Sequence, residues 1–576
     1  MTSELDHTAD PSLEQGSLTL ERHLIARAGW TIVLSGVLAT ALGTWGWWST
    51  WPGDAIVEPV LVILALGAMA LLWTVAEPSV AWLSRSIFGL AAATALLAQG
   101  VMINGRAFYS TDAAAFNDAA ARLLRQGLNP YTHTLAPISA RHLDGVANYW
   151  TYSLDGGHVA KLSYPAGSFL FQVPLQILGT HHLPADWLDL FAGLAAAVLM
   201  FVMLPVAIRW LAPSVLLFGL YIGVFANGGT DALFVPFLLI ALWRWDRFSD
   251  LKVSRLARWA GPVALGLACT IKQTPWFCVP FLLAGVAFEA ASADSSPLKA
   301  TGRYAGLVAG VFLLVNVPFI IWSPGAWLHG TLLPLTDPLV PDGQGLVTLA
   351  LHGTVHGVRV LPLAIAGLLA ELALLASYAL YYRRMKHLWL FLLPLVLTIP
   401  ARSLSEYLID FLPAAIIAAV SVRPTTYVPL AFVRRGWRRV APLAAGVGAV
   451  GFVIAAFMSP VLTITVDSFT TAHEFRYFTS MTVTVHNNTA APVTASLATL
   501  ENNTHPTGFW RLGAKDSVVI NPNQSRTVVL HAPPFTTTSL RGQWWLVEGV
   551  TPSPAAVSTS SPMKWRLGPY PLRFKS

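Results

Sequence analysis

Charge is scarce in this chain: only 11% of its 576 residues are Asp, Glu, Lys or Arg, against 55% hydrophobic. Soluble chains carry about a quarter charged residues, so a string of ordinary soluble domains is excluded. Cysteine is scarcer still. The two that exist, Cys269 and Cys278, lie inside or beside apolar segments, which excludes a disulfide framework and a cysteine-based zinc site. A cleavable signal is not expected either. The first 25 residues are polar and acidic, and the apolar run behind them is too long and lacks a small-residue cleavage pattern. No internal repeat is strong enough to indicate a two-fold transporter architecture.

Long apolar runs are what the chain does have, and mean hydropathy is +0.57. Stretches 30–42, 55–73, 190–208 and 304–321 approach or reach the roughly 20 residues that cross a bilayer. Membrane lipid is therefore the expected surrounding. The net charge of +7 reflects basic residues in short loops, which set orientation and imply no nucleic-acid partner. The pattern predicts an all-α polytopic membrane protein with about thirteen spans. They fall near 28–48, 55–75, 84–104, 187–208, 212–227, 230–245, 258–272, 275–290, 304–323, 359–382, 387–401, 406–422 and 440–459. Spans near 15 residues must bend, tilt or line a cavity. The run 168–179 is expected to be re-entrant or interfacial.

The basic clusters Arg244/Arg247/Lys252/Arg255/Arg258, Arg383/Arg384/Lys386 and Arg434/Arg435/Arg438/Arg439 are expected in the cytoplasm of a multi-pass plasma-membrane protein. Residues 1–25 then form a cytoplasmic segment, 26–460 the membrane domain, and an odd number of crossings places 461–576 outside. Loops 105–166 and 324–358 are expected on that outer face. In the tail, Thr/Val/Tyr/Phe alternation at 462–466, 477–485, 493–500, 518–520, 527–530 and 543–547 is interrupted by turn residues such as Asn487-Asn488 and Asn521-Pro522-Asn523. That spacing predicts an external, Ig-like β-sandwich.

The first outer loop opens on Ser110-Thr111-Asp112, with a helix carrying Phe116, Ala119/Ala120 and Leu123/Leu124 on one face, stopped by Gly127 and Pro130. Such a helix suits the bilayer surface. Asp112 in its first turn either complements the helix dipole or meets a substrate at the lipid boundary; Asp118 faces water or is a second candidate base. Further polar segments punctuate the apolar chain. They are Gly127-Leu-Asn129-Pro130-Tyr131, Tyr164-Pro165-Ala166, Asn227-Gly228-Gly229-Thr230-Asp231, Lys272-Gln273-Thr274-Pro275 and Arg402-Ser-Leu-Ser-Glu406-Tyr407-Leu-Ile-Asp410.

These segments, in this order over about 112–413, resemble the GT-C superfamily of membrane glycosyltransferases. The similarity is to the branch using polyprenyl-phosphate sugars, which includes mannosyl- and arabinofuranosyltransferases. Two spans precede the one leading into the Asp112 loop, whereas that family's loop commonly follows its first span, and Tyr164-Pro165-Ala166 stands where it has aromatic-Pro-Pro. The resemblance implies an outer active site, a lipid-linked sugar donor, a glycan or glycolipid acceptor, and inversion at the anomeric carbon. Asp112 matches the family's loop aspartate, which implies the general base, with Asp118 as runner-up. Lys272 and Arg402 are the candidate cations for the departing phosphate. Tyr131, Tyr164, Asn227 and Asp231 are candidate contacts to donor or acceptor. A leaving group that is already a phosphomonoester requires no metal, so neither a metal nor another cofactor is expected.

Structural explanations stand beside each of these. Lys272 can snorkel, Arg402 can pair with Glu406 one turn away, and Asn227 and Asp231 can satisfy backbone groups at a helix break. His352 and His356 can contact phosphate or sugar, or simply lie on the surface; no third ligand accompanies them. Asp155/His158 and Asp337/Asp342 read as solvated loops that can alternatively bind acceptor or a divalent ion. Trp510, Trp544, Trp545 and Trp565 can stack on sugars or build the tail's core, and Asn487, Asn502 and Asn523 sit in Asn-x-Ser/Thr triplets. Glu371, in the middle of a span, can pair with another helix or serve as a proton relay. The relay carries the alternative of a transporter for lipid-linked saccharide; a non-catalytic envelope assembly protein is the third.

Overall fold

The computed structural model describes residues 11–48, 54–75, 77–139, 150–180, 182–217, 229–424, 437–472, 477–501, 508–512, 516–532 and 544–564. Asn227, Arg434, Arg435, Asn502 and Trp565 lie outside the described residues.

Seven described helices are long and apolar enough to cross a membrane. They cover His23–Gly43, Ala81–Gly105, Pro184–Met203, Thr274–Ser292, Pro297–Trp322, Val360–Leu380 and Val440–Phe457. Three shorter apolar helices, Pro59–Thr74, Val206–Leu217 and Asp231–Leu242, accompany them. That is fewer than thirteen. The expected span 406–422 is two short helices, Ser405–Ile409 and Phe411–Ser421, and 387–401 contains a helix of only nine residues, Trp389–Leu397. Large apolar side chains stand open on the outer faces, with Ile63 68%, Leu314 77% and Ile321 77% exposed. Apolar surface on that scale suits lipid, not water. Inside, Trp30, Phe234, Phe281 and Trp389 share one core, with the Phe281 and Trp389 rings stacked at 4.8 Å.

The loop helix Asp112–Arg125 forms as its signals predict: Thr111 caps it, accepting from the Ala114 N–H at 3.2 Å. Its placement differs from the expected bilayer surface. Ten of its fourteen residues are buried, because its alanines let neighbouring segments close on both faces. One neighbour is the run expected not to cross, which folds as two short helices, Gly167–Leu170 and Gln172–Ile177. Gly167 is required where this run returns to the bundle. A β-carbon there would fall 2.7 Å from the Thr270 carbonyl oxygen.

The tail forms strands in open sheets. Leu462–Ala472, Tyr477–Asn487 and Ser525–His531 make a three-stranded antiparallel sheet. The second sheet runs in the order Gly357–Arg359, Ala555–Thr559, Trp544–Pro552, Val493–Glu501, Val518–Ile520, with Met563–Lys564 also paired to Trp544–Pro552. Its first strand lies at the end of the 324–358 loop, so the tail is stitched antiparallel to the helical part through Ala556↔Arg359 and Ser558↔Gly357. Trp510 and Trp545 are 1% and 2% exposed in the core that both sheets share, which removes them from any sugar-stacking role. Asn487 is fully buried and donates its Nδ2 to the Ala491 and Ile520 carbonyls, so it is no glycan acceptor in the folded chain.

Candidate functional site

Asp112 sits where the dipole argument puts a carboxylate, at the first residue of its helix. Its Oδ2 is also taken by a distant partner, accepting from the Thr151 backbone N–H at 2.7 Å. The residue stays half-buried. Burial raises its carboxyl above the ordinary carboxylate range, while the Thr151 hydrogen bonds and the nearby Arg402 guanidinium oppose that shift. The Tyr152 and Tyr164 phenols also lie within electrostatic reach of Asp112. The loop aspartate, the return-segment tyrosine and the arginine of a third segment thus converge from three distant parts of the chain.

Arg402 is not held by Glu406. It donates to the Val340 carbonyl at 3.1 Å and lies 3.8 Å from Asp342. The cause is a two-residue parallel pairing, Asp342↔Arg402 and Gly343↔Ser403. Gly343 is needed there. Its φ is +111°, and a β-carbon would fall 2.3 Å from the Ser403 carbonyl oxygen. Asp342, read as a solvated loop residue, is therefore buried.

Tyr164 leads inward. Lys272 Nζ lies 5.7 Å from the Tyr164 ring centroid and 4.7 Å from that of Tyr407. Lys272 follows the Arg255–Ile271 helix and Asp231 begins the antiparallel Asp231–Leu242 helix, so the two meet as a buried ion pair. Thr230, just before Asp231, has φ +63°, an uncommon conformation for a β-branched residue. Such strain concentrates at functional sites. The carboxyls of Asp189, Glu406 and Asp410 lie within electrostatic reach of this pair. Asp410 is fully buried and neither of its oxygens has a hydrogen-bond partner among the described residues. Acids outnumber the cation around Lys272, so that end offers no net positive cradle for phosphate. Arg402 is the better-placed cation.

Other expected site residues are placed differently. Asp118 is 1% exposed. Its carboxylate accepts from Arg122 Nε and Nη2 at 3.2 and 2.8 Å and from Gln176 Nε2 at 2.6 Å, so it ties the loop helix to the 172–177 turn. Asp118→Asn is expected to lower stability by about 1–3 kcal/mol with activity per folded molecule retained, which thermal melts paired with activity assays will check. Tyr131 is buried, donates its hydroxyl to the Tyr164 carbonyl at 2.8 Å and packs edge-on against Phe169 and Phe319. It holds the site's wall and offers no ligand surface.

His352 and His356 are exposed at the junction with the tail. The first lies over Trp544 at 5.1 Å, and the second's carbonyl accepts from the Thr559 N–H. The helix Thr348–Leu351 ends before either, so they do not share a helix face. Among the described residues no group of three or more His, Cys, Asp or Glu has the arrangement to hold a metal ion. Asp155 closes its own turn, accepting from the Gly157 N–H at 2.9 Å. Glu371 stands apart from this constellation, within electrostatic reach of Cys278.

Two carboxylates escaped the sequence reading. Asp189 lies inside the Pro184–Met203 span, and an acid within an apolar run was the available signal. Glu548 lies on Trp544–Pro552, one residue past the predicted strand end at Val547. It is fully buried with both oxygens unpartnered among the described residues. Burial, and secondarily Asp342, pushes its carboxyl from 4.5 up to about 8. The folded chain keeps a proton there that the unfolded chain releases. This stabilising contribution is complete below pH 4.5 and is lost as pH rises from 4.5 through 8. Glu548→Gln is expected to melt like wild type near pH 5 and to be more stable at alkaline pH, by a few kcal/mol. Melting curves of both proteins across that range will test it.

No protein-family model, curated protein or solved structure matches this chain.

Proposed function

We propose that the chain is an integral-membrane glycosyltransferase of the GT-C type, moving a sugar, mannose or arabinofuranose, from a polyprenyl-phosphate donor to an outer glycan or glycolipid. The observation that supports this reading best is Asp112, a half-open carboxylate held by Thr151 and placed with Arg402 and Tyr164. In the reaction, the acceptor hydroxyl oxygen attacks the anomeric carbon and gives its proton to Asp112. The bond from that carbon to the phosphate oxygen breaks, and its electron pair leaves with polyprenyl phosphate. Arg402 is the residue proposed to meet the phosphate charge. The segment around Tyr152 packs against tail residues such as Leu546 and Val557. The base and the tail therefore belong to one face, which we assign as the extracytoplasmic face of a plasma membrane, with the N-terminus inside and the tail an Ig-like sandwich.

The test is transfer by purified protein, in lipid-supplemented detergent, from radiolabelled polyprenyl-phosphate mannose or arabinofuranose to an envelope glycolipid extract. Labelled product with inverted configuration, insensitive to a chelator, is expected. Intact donor binding without any product sinks the reading.

A second reading, a carrier of lipid-linked saccharide, is favoured by the buried Asp189, Asp231, Lys272 and Asp410 group, which suits proton or ion coupling. It requires that Asp410→Asn abolish saccharide flux in proteoliposomes while sugar transfer survives.

A further inference from the structure

The Asp231–Leu242 and Arg255–Ile271 helices form a hairpin with two polar ends. Asp231 and Lys272 occupy one. The other lies about 18 Å away, at 1.5 Å per residue along the shorter helix, and carries Trp243-Arg244-Trp245-Asp246-Arg247 and, across the turn, Arg258. Between them is a cavity of about 110 Å³. A water needs about 10–15 Å³ of such space, so a tetrahedral oxyanion fits. Arg244, Arg247, Arg258, Trp245 and Tyr304 line it, and no Asp or Glu does.

The donors are left over in a consistent way. Arg247 Nε, Arg258 Nε, Trp245 Nε1 and the Tyr304 hydroxyl are buried without a hydrogen-bond partner among the described residues. Trp245 is 3% and Tyr304 1% exposed, so solvent at the protein surface does not reach them. The six-membered ring of Trp245 backs onto Gly285. The nearby acids do not line the cavity: they lie within electrostatic reach of Arg247, but Asp246 Oδ2 accepts from the Arg423 N–H at 3.0 Å, and Asp250 Oδ2 pairs with the Arg423 guanidinium at 3.1 Å.

Guanidinium and indole N–H groups only donate. The complementary ligand is therefore negative and rich in acceptors, and a planar guanidinium matches phosphate oxygens. We propose that this cavity is a binding site for a phosphate group, at the end of the hairpin remote from Asp112. The phosphate belongs either to an anionic phospholipid headgroup or to a free phosphate. Exposed Leu256 and Trp259 beside Arg258 put lipid within reach, and basic pockets between helices at a membrane boundary suit such headgroups.

Delipidated full-length protein in phosphatidylcholine nanodiscs provides the test, read as the thermal midpoint. One arm titrates inorganic phosphate; the other replaces part of the lipid with phosphatidylglycerol. Stabilisation of wild type by phosphate alone assigns a free-phosphate site, and stabilisation requiring phosphatidylglycerol assigns a headgroup site. In either arm, Arg247→Gln with Arg258→Gln is expected to weaken the response roughly tenfold or more, and Tyr304→Phe roughly fivefold. Arg303→Gln, an exposed neighbour outside the cavity, should respond like wild type. The proposal is overturned if wild type responds to neither ligand, if the double variant responds fully, or if Arg303→Gln loses as much. Should the double variant not fold, an unchanged affinity in Tyr304→Phe overturns it.

Discussion

Asparagine in place of Asp112 is expected to lower sugar transfer about 10²–10⁴-fold, the range for removing a positioned general base. The substitution is nearly isosteric, and the amide oxygen of asparagine can still accept from the Thr151 N–H that anchors Oδ2 at 2.7 Å. Helix Asp112–Arg125 also keeps its Thr111 cap, so the variant should fold and bind donor. The loss should appear in kcat with KM for the donor little changed.

The pH profile supplies a second check. Only the ionised carboxylate takes a proton. Because burial holds the Asp112 carboxyl above the ordinary range, wild-type kcat/KM should rise with pH along a limb displaced upward from that of a free aspartate. Asp112→Asn should lose the limb together with the rate. Equal rates in the two proteins would remove Asp112 from the chemistry. Asp118 would not inherit the role, since its oxygens are engaged by Arg122 and Gln176.

Lys272→Met is expected to destabilise the folded chain by about 3–5 kcal/mol, the usual consequence of removing one partner of a buried ion pair. Lys272 and Asp231 are both almost fully buried. Without the lysine, Asp231 is left facing Glu406 and Asp410 with no other cation paired to it among the described residues. Asp231→Asn with Lys272→Met removes both charges and should recover a large part of the loss. A double-mutant cycle by thermal or denaturant unfolding measures that recovery. A cycle giving no coupling would mean that the pair adds nothing to the fold.

The patterns legible from residues alone were those set by near neighbours in the chain. Apolar runs too long for soluble helices, the Thr111–Asp112 helix start and the Gly127–Pro130 stop all follow from a residue's immediate context. The same holds for the tail. Alternation at 493–500 and 518–520 became strands Val493–Glu501 and Val518–Ile520, because side-chain period and turn residues act locally. The ordered polar segments also marked the loops that carry Asp112, Asp231, Lys272 and Arg402.

Pairing was a different matter. Asp112 and Asp118 share one helix and one residue type, yet one meets Thr151 and the other Arg122 and Gln176. Arg402 had an acid one turn away and took Asp342 instead, because a parallel two-residue pairing set its register. Tyr131 looked available for substrate and is sealed by Phe169 and Phe319. The cavity lined by Arg244, Arg247 and Arg258 is shared with Tyr304, a residue of the distant Pro297–Trp322 helix. Composition and periodicity by themselves determined that this chain carries helices apolar enough to cross a membrane, where the loop helix and most of the tail strands begin, and which polar segments interrupt the apolar runs. Which charge answers which was decided by the tertiary structure, since that depends on distances between segments far apart in the chain, and local periodicity carries no such distance.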